Sequence, residues 1–287
     1  MNRLPLTVIG GYLGAGKTTL INRLLAGDHG LRLMVLVNDF GAINIDAALL
    51  ATARDDMIEL TNGCVCCTMG ADLFMALGDA LDRSPRPDHL LVEASGIADP
   101  AAIANAAVAE PDLVYSGILT LVDALNAPAL LDDTLIAGQV SGQIAVADLV
   151  LVTKSDTPDP ALMARLGALA RTAPMVLGAE MPLLPLLTDV TPLPGRAALP
   201  PHPAYLHWHH EDGETWTRDA LRDRLATRPA GLYRLKGLLR APDGGFELHV
   251  VGNQVDIRPA PADTTRLVGL GLADRVTRAE IDRWWQG

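Results

Sequence analysis

The sequence of 287 residues has little that would support a disulfide framework, a nucleic-acid surface or a membrane span. Three cysteines are too few for a network of disulfide bonds. Lys and Arg number 23 against 34 Asp and Glu, whereas a nucleic-acid partner requires an excess of positive charge. No apolar stretch reaches the roughly 18 to 20 uncharged residues that a membrane-spanning helix needs. We therefore expect a cytoplasmic protein that binds neither nucleic acid nor a membrane.

Aromatic residues are also scarce, at 4% of the chain, so Leu, Val, Ile and Ala must fill the interior. These residues form short continuous runs, a pattern typical of strands that are covered on both faces in a parallel sheet. Helical stretches lie between the runs, and this alternation predicts a doubly wound α/β domain. The predicted strands are residues 6–10, 33–37, 90–92, 118–122, 149–153 and 175–177, and the predicted helices are residues 18–25, 71–83, 100–109 and 160–171.

A change of composition divides the chain near residue 200. Residues 191–203 contain five prolines and no periodic pattern, which is typical of a semi-extended linker. Short strand-like runs with one early and one late helix follow, and they predict a small α+β domain. We therefore predict a first domain over residues 1–190, a linker over 191–204 and a second domain over 205–287.

A glycine-rich motif follows the first predicted strand. Residues 11–18 read Gly-Tyr-Leu-Gly-Ala-Gly-Lys-Thr, which matches the phosphate-loop pattern between a strand and a helix. Glycines permit positive φ, so successive backbone N–H groups can point inward toward phosphate at the N-terminus of the helix. Lys17 is expected to contact the β- and γ-phosphates, and Thr18 a Mg²⁺ ion. The predicted nucleotide ligands of this loop are Gly11, Gly14, Ala15, Gly16, Lys17, Thr18 and Thr19.

Glu93 follows the predicted strand at residues 90–92. A carboxylate at such a strand end commonly orients Mg²⁺ and water in nucleotide hydrolases. We predict Glu93 as a Mg²⁺ ligand, and Glu93 with Lys17 as the catalytic residues.

Residues 153–156 read Thr-Lys-Ser-Asp, where GTPases carry Asn-Lys-x-Asp. Asp156 would accept hydrogen bonds from the guanine N1 and N2 donors, and the Lys154 stem would pack on the base. Thr153 replaces the usual Asn, which alters one contact. These three predicted nucleotide ligands favour GTP and GDP over adenine nucleotides.

All three cysteines, Cys64, Cys66 and Cys67, lie within four positions before a predicted helix. Thiolates are soft ligands for Zn²⁺ or Cu(I), and a tetrahedral zinc site would need a fourth ligand from elsewhere. A Cys-x-x-Cys redox pair and buried structural cysteines are the alternative interpretations. We favour a metal site.

These motifs, in their order and spacing, resemble the CobW-type family of P-loop GTPase metallochaperones, which includes CobW-, HypB- and UreG-like G proteins. The resemblance covers nearly the whole chain, and the phosphate loop combined with Asn-Gly-Cys-Val-Cys-Cys is highly specific. The other segments that carry it are Asn-Asp-Phe-Gly at 38–41, Val-Asp-Ala at 122–124, Gln-Ile-Ala-Val-Ala-Asp at 143–148, Arg-Leu-Lys-Gly at 234–237 and Arg-Leu-Val-Gly-Leu-Gly at 266–271.

The resemblance implies GTP-dependent metal delivery. The cysteine cluster would bind Zn²⁺, Co²⁺ or a similar ion, and the nucleotide state would change metal affinity or docking to a client metalloprotein. Asp39 lies where the family usually has Asn-Glu-Phe-Gly-Glu, so a contact to Mg²⁺ or to the delivered metal is implied for it, whereas Ala42 cannot replace the second glutamate. No arginine finger is evident in the sequence, so hydrolysis should be slow and stimulated by a client or by metal.

His207 and His209 would share one face of the first strand of the second domain. That placement permits joint ligation of an accessory metal. Exposed polar residues at a domain boundary are the alternative interpretation.

Two other functions stay open on the sequence alone. One is a small-molecule kinase on the same scaffold, against which residues 153–156 and the cysteine cluster argue. The other is a metal sensor or store that uses nucleotide structurally. The sequence identifies neither the physiological metal nor the client, and it is compatible with a homodimer.

Overall fold

The structure is a computed structural model that describes residues 3–37, 57–59, 71–195 and 203–287. These residues form two compact units, one that extends through residue 195 and one that begins at Pro203. The first unit is a doubly wound α/β fold, and the second is a smaller α+β fold. The predicted fold class is confirmed.

The first unit is built on a sheet of seven parallel strands in the order β3-β2-β4-β1-β5-β6-β7. Strand β1 lies in the middle, between β4 and β5. In such sheets, ligands bind beyond the carboxyl ends of the strands at the point where the strand order reverses. The strands are β1 Leu4–Gly10, β2 Leu33–Val37, β3 Met57–Glu59, β4 His89–Glu93, β5 Leu113–Asp123, β6 Leu149–Thr153 and β7 Met175–Val176.

Among the described residues, a helix lies between β1 and β2, and at least one helix precedes each strand from β4 to β7, as crossovers between parallel strands require. Two helices, α4 and α5, lie between β5 and β6 in the chain. The helices of the first unit are α1 Lys17–Ala26, α2 Ala71–Leu81, α3 Pro100–Ala109, α4 Ala127–Asp132, α5 Ala137–Ala145, α6 Pro160–Leu169 and α7 Pro185–Thr188.

The core of the first unit is aliphatic. Every residue of β2 and of β4 is buried, which agrees with the continuous apolar runs in the sequence. The buried cluster that contains Leu20, Ile21 and Leu24 of α1 has only Leu, Ile, Val and Ala among its members. The expectation that these residues fill the interior is confirmed for this unit.

The second unit is an antiparallel sheet of five strands in the order β11-β10-β9-β12-β8, with two helices packed on it. The strand β8 therefore forms one edge of this sheet. The elements are β8 Tyr205–Asp212, α8 Arg218–Ala226, β9 Leu232–Ala241, β10 Gly244–Val251, β11 Gln254–Pro259, β12 Thr265–Leu272 and α9 Arg278–Gln286.

All four tryptophans of the chain belong to the core of this second unit. Trp285 packs against Trp216 with ring centroids 4.6 Å apart, and against Trp284 at 5.5 Å. Helix α9 begins with a capping box, in which Thr277 and Glu280 each bond the other's backbone N–H. These four tryptophans share the core with buried Leu, Val and Ile residues, so aromatic and aliphatic area together stabilise the second unit.

A buried histidine lies inside the parallel sheet of the first unit. His89, at the start of β4, is 3% exposed, and its Nε2 lies 2.8 Å from the Thr7 hydroxyl of β1. Burial lowers the pKa of His89 from 6.5 to about 4. The unfolded chain therefore takes up a proton between pH 6.5 and pH 4 that the folded chain does not.

We expect this difference to cost stability as the pH falls. Above pH 6.5 neither state protonates His89, and below it about 3 kcal/mol of unfolding free energy is lost by pH 4. Denaturant unfolding of the natural chain and of His89→Gln at pH 7 and pH 4 checks this. The natural chain should lose about 3 kcal/mol more than the variant over that interval, and equal losses would show that His89 does not titrate as described.

No helix in the part of the chain that the structure describes is long and apolar enough to cross a membrane.

Candidate functional site

The phosphate loop lies directly after the central strand β1, at the carboxyl edge of the sheet. Gly11, Gly14 and Gly16 have φ values of +132°, +75° and +96°. Gly16 caps the N-terminus of α1, so the loop leads straight into the positive end of that helix. The positive φ that glycine permits is thus observed at all three positions. This geometry supplies the backbone half of an anion site.

Gly11 is the most constrained glycine of the loop. A Cβ atom added there would lie 2.4 Å from the Leu121 carbonyl oxygen and 3.1 Å from the Leu121 nitrogen, both on β5. Backbone atoms of a central strand cannot move aside easily. The loop therefore packs onto β5 so closely that a side chain is excluded.

The Lys17 ammonium lies within the loop. Lys17 is 5% exposed, and its Nζ donates to the Gly11 carbonyl oxygen at 2.8 Å and to that of Tyr12 at 3.4 Å. Ala15 is buried, whereas Thr19 is exposed in the first turn of α1. The Lys17 side chain thus lies beside the backbone groups that would bind phosphate, close to where the phosphate oxygens would bind.

Thr18 and Glu93 meet at the mouth of the loop. Glu93 ends β4, pairs in register with Ile9 of β1, and is 5% exposed. The Thr18 hydroxyl donates to Glu93 Oε1 at 3.4 Å. A hydroxyl and a carboxylate are the oxygen donors that Mg²⁺ accepts beside phosphate, so this donor set fits the ion.

Thr153 connects the base-recognition segment to the phosphate loop. It ends β6, is 7% exposed, and its hydroxyl donates to the Ala15 carbonyl oxygen at 2.8 Å and to that of Val122 at 3.3 Å. The residue that replaces the usual Asn therefore bonds the loop itself. Asp156 lies three residues further on and is exposed.

Asp123 is a residue of this edge to which the sequence analysis gave no role. It ends β5, is 4% exposed, and its Oδ2 accepts from the Lys154 ammonium at 2.8 Å and from the Asn126 amide at 2.6 Å. Lys154 has φ +63°, a left-handed conformation that is uncommon for a residue with a side chain. The position of Asp123 at the end of an apolar run, inside the Val-Asp-Ala motif, is the sequence feature that could have indicated a role at this site.

In the second unit, buried and exposed side chains alternate around Trp208 in β8. Trp208 is 1% exposed on the core face, whereas His207 and His209 lie on the opposite face. The expected shared face is therefore present. Desolvation lowers the pKa of the His207 imidazole, which favours the neutral form that binds metals. A metal role for this pair stays a prediction.

Several predicted ligands lie outside the described residues, namely Asp39, Cys64, Cys66 and Cys67. Within the residues that the structure does describe, no cluster of three or more His, Cys, Asp or Glu side chains could hold a metal ion. Metal binding at the cysteines therefore stays a prediction.

A strand, a glycine loop and a helix of this geometry, at the centre of an all-parallel sheet, define a P-loop nucleotide-binding fold. The family model described as "CobW/HypB/UreG, nucleotide-binding domain" matches residues 5–176. A second model, "Cobalamin synthesis protein cobW C-terminal domain", matches residues 207–285. The chain belongs to the CobW/HypB/UreG family, and the resemblance stated from the sequence is confirmed.

Similar proteins include two curated relatives. Zinc chaperone CobW of Sinorhizobium sp is 36% identical, with 55% of this chain and 52% of that protein covered. Zinc chaperone YjiA of Escherichia coli is 35% identical, with 61% and 57% covered. The match thus spans little more than half the length of each relative. Among solved structures, the crystal structure of Zn(II)-bound YjiA GTPase from E. coli matches over 100% of this chain and 99% of its own length. The TM-score is 0.50 and the sequence identity 22%, so the similarity is one of fold.

Proposed function

We propose that this protein is a GTP-hydrolysing metallochaperone. It binds GTP with Mg²⁺ at the phosphate loop, hydrolyses it slowly, and holds Zn²⁺ or Co²⁺ at Cys64, Cys66 and Cys67. It delivers this ion to a client metalloprotein in the cytoplasm, and the nucleotide state sets its affinity for the metal. The observation that carries the proposal is the Thr18–Glu93 contact at the mouth of the loop.

The phosphates would be held by backbone N–H groups of residues 11–18 and by the N-terminus of α1. Lys17 would turn its ammonium from the Gly11 carbonyl oxygen to the β- and γ-phosphate oxygens, a short movement because both lie at the same loop. Thr18 and Glu93 would hold Mg²⁺, which when bound neutralises charge on the phosphate oxygens. The chain's own residues thus bind, orient and screen the phosphates.

The base would lie against residues 153–156. Asp156 is exposed, so its carboxylate can accept two hydrogen bonds from guanine. Lys154 is held by Asp123, so its aliphatic stem is fixed in one direction. This arrangement favours guanine, because adenine presents no matching pair of donors.

The metal part of the proposal is supported by the relatives, both of which are described as zinc chaperones. Thiolates also suit Zn²⁺ more than Mg²⁺, which prefers oxygen ligands. The cargo ion and the Mg²⁺ of the nucleotide would therefore bind at chemically distinct sites.

Titration calorimetry and a hydrolysis assay test the nucleotide part. GTP should bind and be hydrolysed at a rate on the order of 10⁻² s⁻¹ or slower, as in GTPases without a stimulating partner. Asp156→Asn should weaken GTP binding by about tenfold, since one acceptor is lost, and leave ATP binding unchanged.

Asp159→Asn is the matched control, because it removes a charge from the same segment and keeps an N-cap for α6. It should leave GTP affinity unchanged. Tighter binding of ATP than of GTP by the natural chain, or transfer of phosphate to a small-molecule acceptor, would contradict the proposal.

A further inference from the structure

Two buried glutamines on α5 face the segment that follows Glu93. Gln139 and Gln143 are four residues apart, so both lie on one face of the helix, and they are 5% and 1% exposed. Their side-chain amides donate to three successive backbone carbonyls. The bonds are Gln139 Nε2 to Ile97 O at 2.7 Å, Gln143 Nε2 to Ala98 O at 2.9 Å and Gln143 Nε2 to Gly96 O at 3.2 Å.

The orientation of both amides is fixed by these partners. Each glutamine faces carbonyl oxygens, which only accept, so the NH₂ group must point toward residues 96–98. Met or Leu at either position could not donate these bonds, and an ionised Glu could only accept. The hydrogen bonds to residues 96–98 thus depend on the N–H donors of the two glutamines and not only on side-chain size.

The same segment packs on the phosphate loop from its other side. A Cβ atom added at Gly96 would lie 2.6 to 2.9 Å from three atoms of Leu13, including the backbone nitrogen. Leu13 and Gln143 also line one small cavity together with Tyr12. Residues 94–98 thus lie between the loop and α5, in contact with both.

The ends of this segment are held by neighbouring elements. At its start, the Ala94 N–H donates to the Ile9 carbonyl oxygen of β1 at 2.9 Å. At its end, Asp99 caps α3 by accepting from Ala101 N at 2.8 Å. Between these anchors the bonds from Gln139 and Gln143 fix its path, and Glu93 immediately precedes it.

We propose that Gln139 and Gln143 are positioning residues for GTP hydrolysis. They hold residues 94–98 against the phosphate loop and thereby keep the Glu93 carboxylate at the Thr18 hydroxyl. The inference rests on the proposed function, in which Glu93 and Thr18 form the Mg²⁺ site. Neither glutamine touches the nucleotide in this role.

Such a role predicts a selective loss of rate. GDP would be bound by the loop N–H groups and by residues 153–156, whereas the 94–98 segment serves the step at the γ-phosphate. Gln139→Met and Gln143→Met should each lower kcat by about tenfold, the factor expected for one or two lost hydrogen bonds. The Kd for GDP should change by less than about twofold.

Ser141→Ala is the matched control on the same helix. Its hydroxyl bonds Ala137 O at 2.6 Å within α5 and does not contribute to the bonds with residues 96–98. This variant should keep both kcat and GDP affinity.

The measurements are single-turnover hydrolysis and GDP titration on the full chain and the three variants. If Gln143→Met does not fold, Gln139→Met decides, since it removes one bond. Unchanged kcat in a folded glutamine variant, or equal losses of kcat and GDP affinity, would overturn the positioning role. Absence of hydrolysis by the natural chain would overturn the proposed function as well, so the two failures are distinguishable.

Discussion

Replacement of Gly11 by alanine is expected to weaken GDP and GTP binding by about 100-fold or more. The methyl group would lie 2.4 Å from the Leu121 carbonyl oxygen, and the residue would need φ +132°. Strain and displacement of the loop together cost on the order of 3 kcal/mol, which the binding energy of the phosphates must offset. Titration of GDP into the variant and the natural chain gives the ratio directly.

Gly30→Ala separates the contact from the backbone strain. Gly30 has φ +72° in the turn between α1 and β2, and an added Cβ would meet nothing within 4 Å. This control should lose about 1 to 2 kcal/mol of unfolding free energy and keep its GDP affinity. Gly11→Ala with GDP affinity equal to that of Gly30→Ala would mean that the loop does not bind phosphate against β5.

Glu93→Gln is expected to lower kcat for GTP hydrolysis by about 100-fold or more. Glu93 is 5% exposed and its Oε1 accepts from the Thr18 hydroxyl. Glutamine has nearly the same shape but no charge, so the Mg²⁺ site loses an anionic ligand while the fold is retained. Hydrolysis measured over a range of Mg²⁺ concentrations should also show a raised Mg²⁺ requirement.

Glu110→Gln is the corresponding control, because Glu110 follows α3, away from the loop. It should hydrolyse GTP at the natural rate. If Glu93→Gln keeps kcat within about twofold at low Mg²⁺, the Glu93 carboxylate is not a Mg²⁺ ligand, and another residue must bind the ion.

The elements predicted from the sequence are those whose pattern is strong within a short window. Continuous runs of mainly apolar residues predicted β2 and β6 with their observed bounds, and the helix predicted at residues 100–109 has the observed bounds of α3. The elements that the sequence analysis missed have weak local patterns. They are β3, α4, α5, α7 and β11.

The physical reasons differ from one missed element to another. Helix α5 contains Gly138, Ser141 and Gly142, which have low helix propensity, and tertiary packing supplies what propensity lacks. The β11 strand, at the sheet edge, reads Gln-Val-Asp-Ile-Arg-Pro, and only Ile257 is buried. A short polar edge strand gives no apolar run to detect.

The candidate site divides in the same way. Gly11, Lys17 and Thr18 could be predicted because one contiguous motif carries the chemistry. The hydrogen bond from Thr153 to Ala15 could not be predicted, because the two residues are 138 positions apart and Thr takes the place of the usual Asn. The Asp123–Lys154 pair likewise depends on the order of β5 and β6 in the sheet.

The glutamine pair illustrates the limit most clearly. Gln143 belongs to a segment that carries the family resemblance, yet its partners at residues 96–98 are defined only by the packing of α5 beside the phosphate loop. The four-residue spacing places Gln139 and Gln143 on one face once α5 is known to be a helix, but the spacing does not tell what that face contacts.

The affinity of the full chain for Zn²⁺, measured by competition titration with GDP and then with a non-hydrolysable GTP analogue, tests the central claim most directly. If the nucleotide controls the cargo ion, the two Kd values should differ by about fivefold or more, and Zn²⁺ should change the relative affinity for the two nucleotides by the same factor. Equal Zn²⁺ affinities in both nucleotide states would contradict the account.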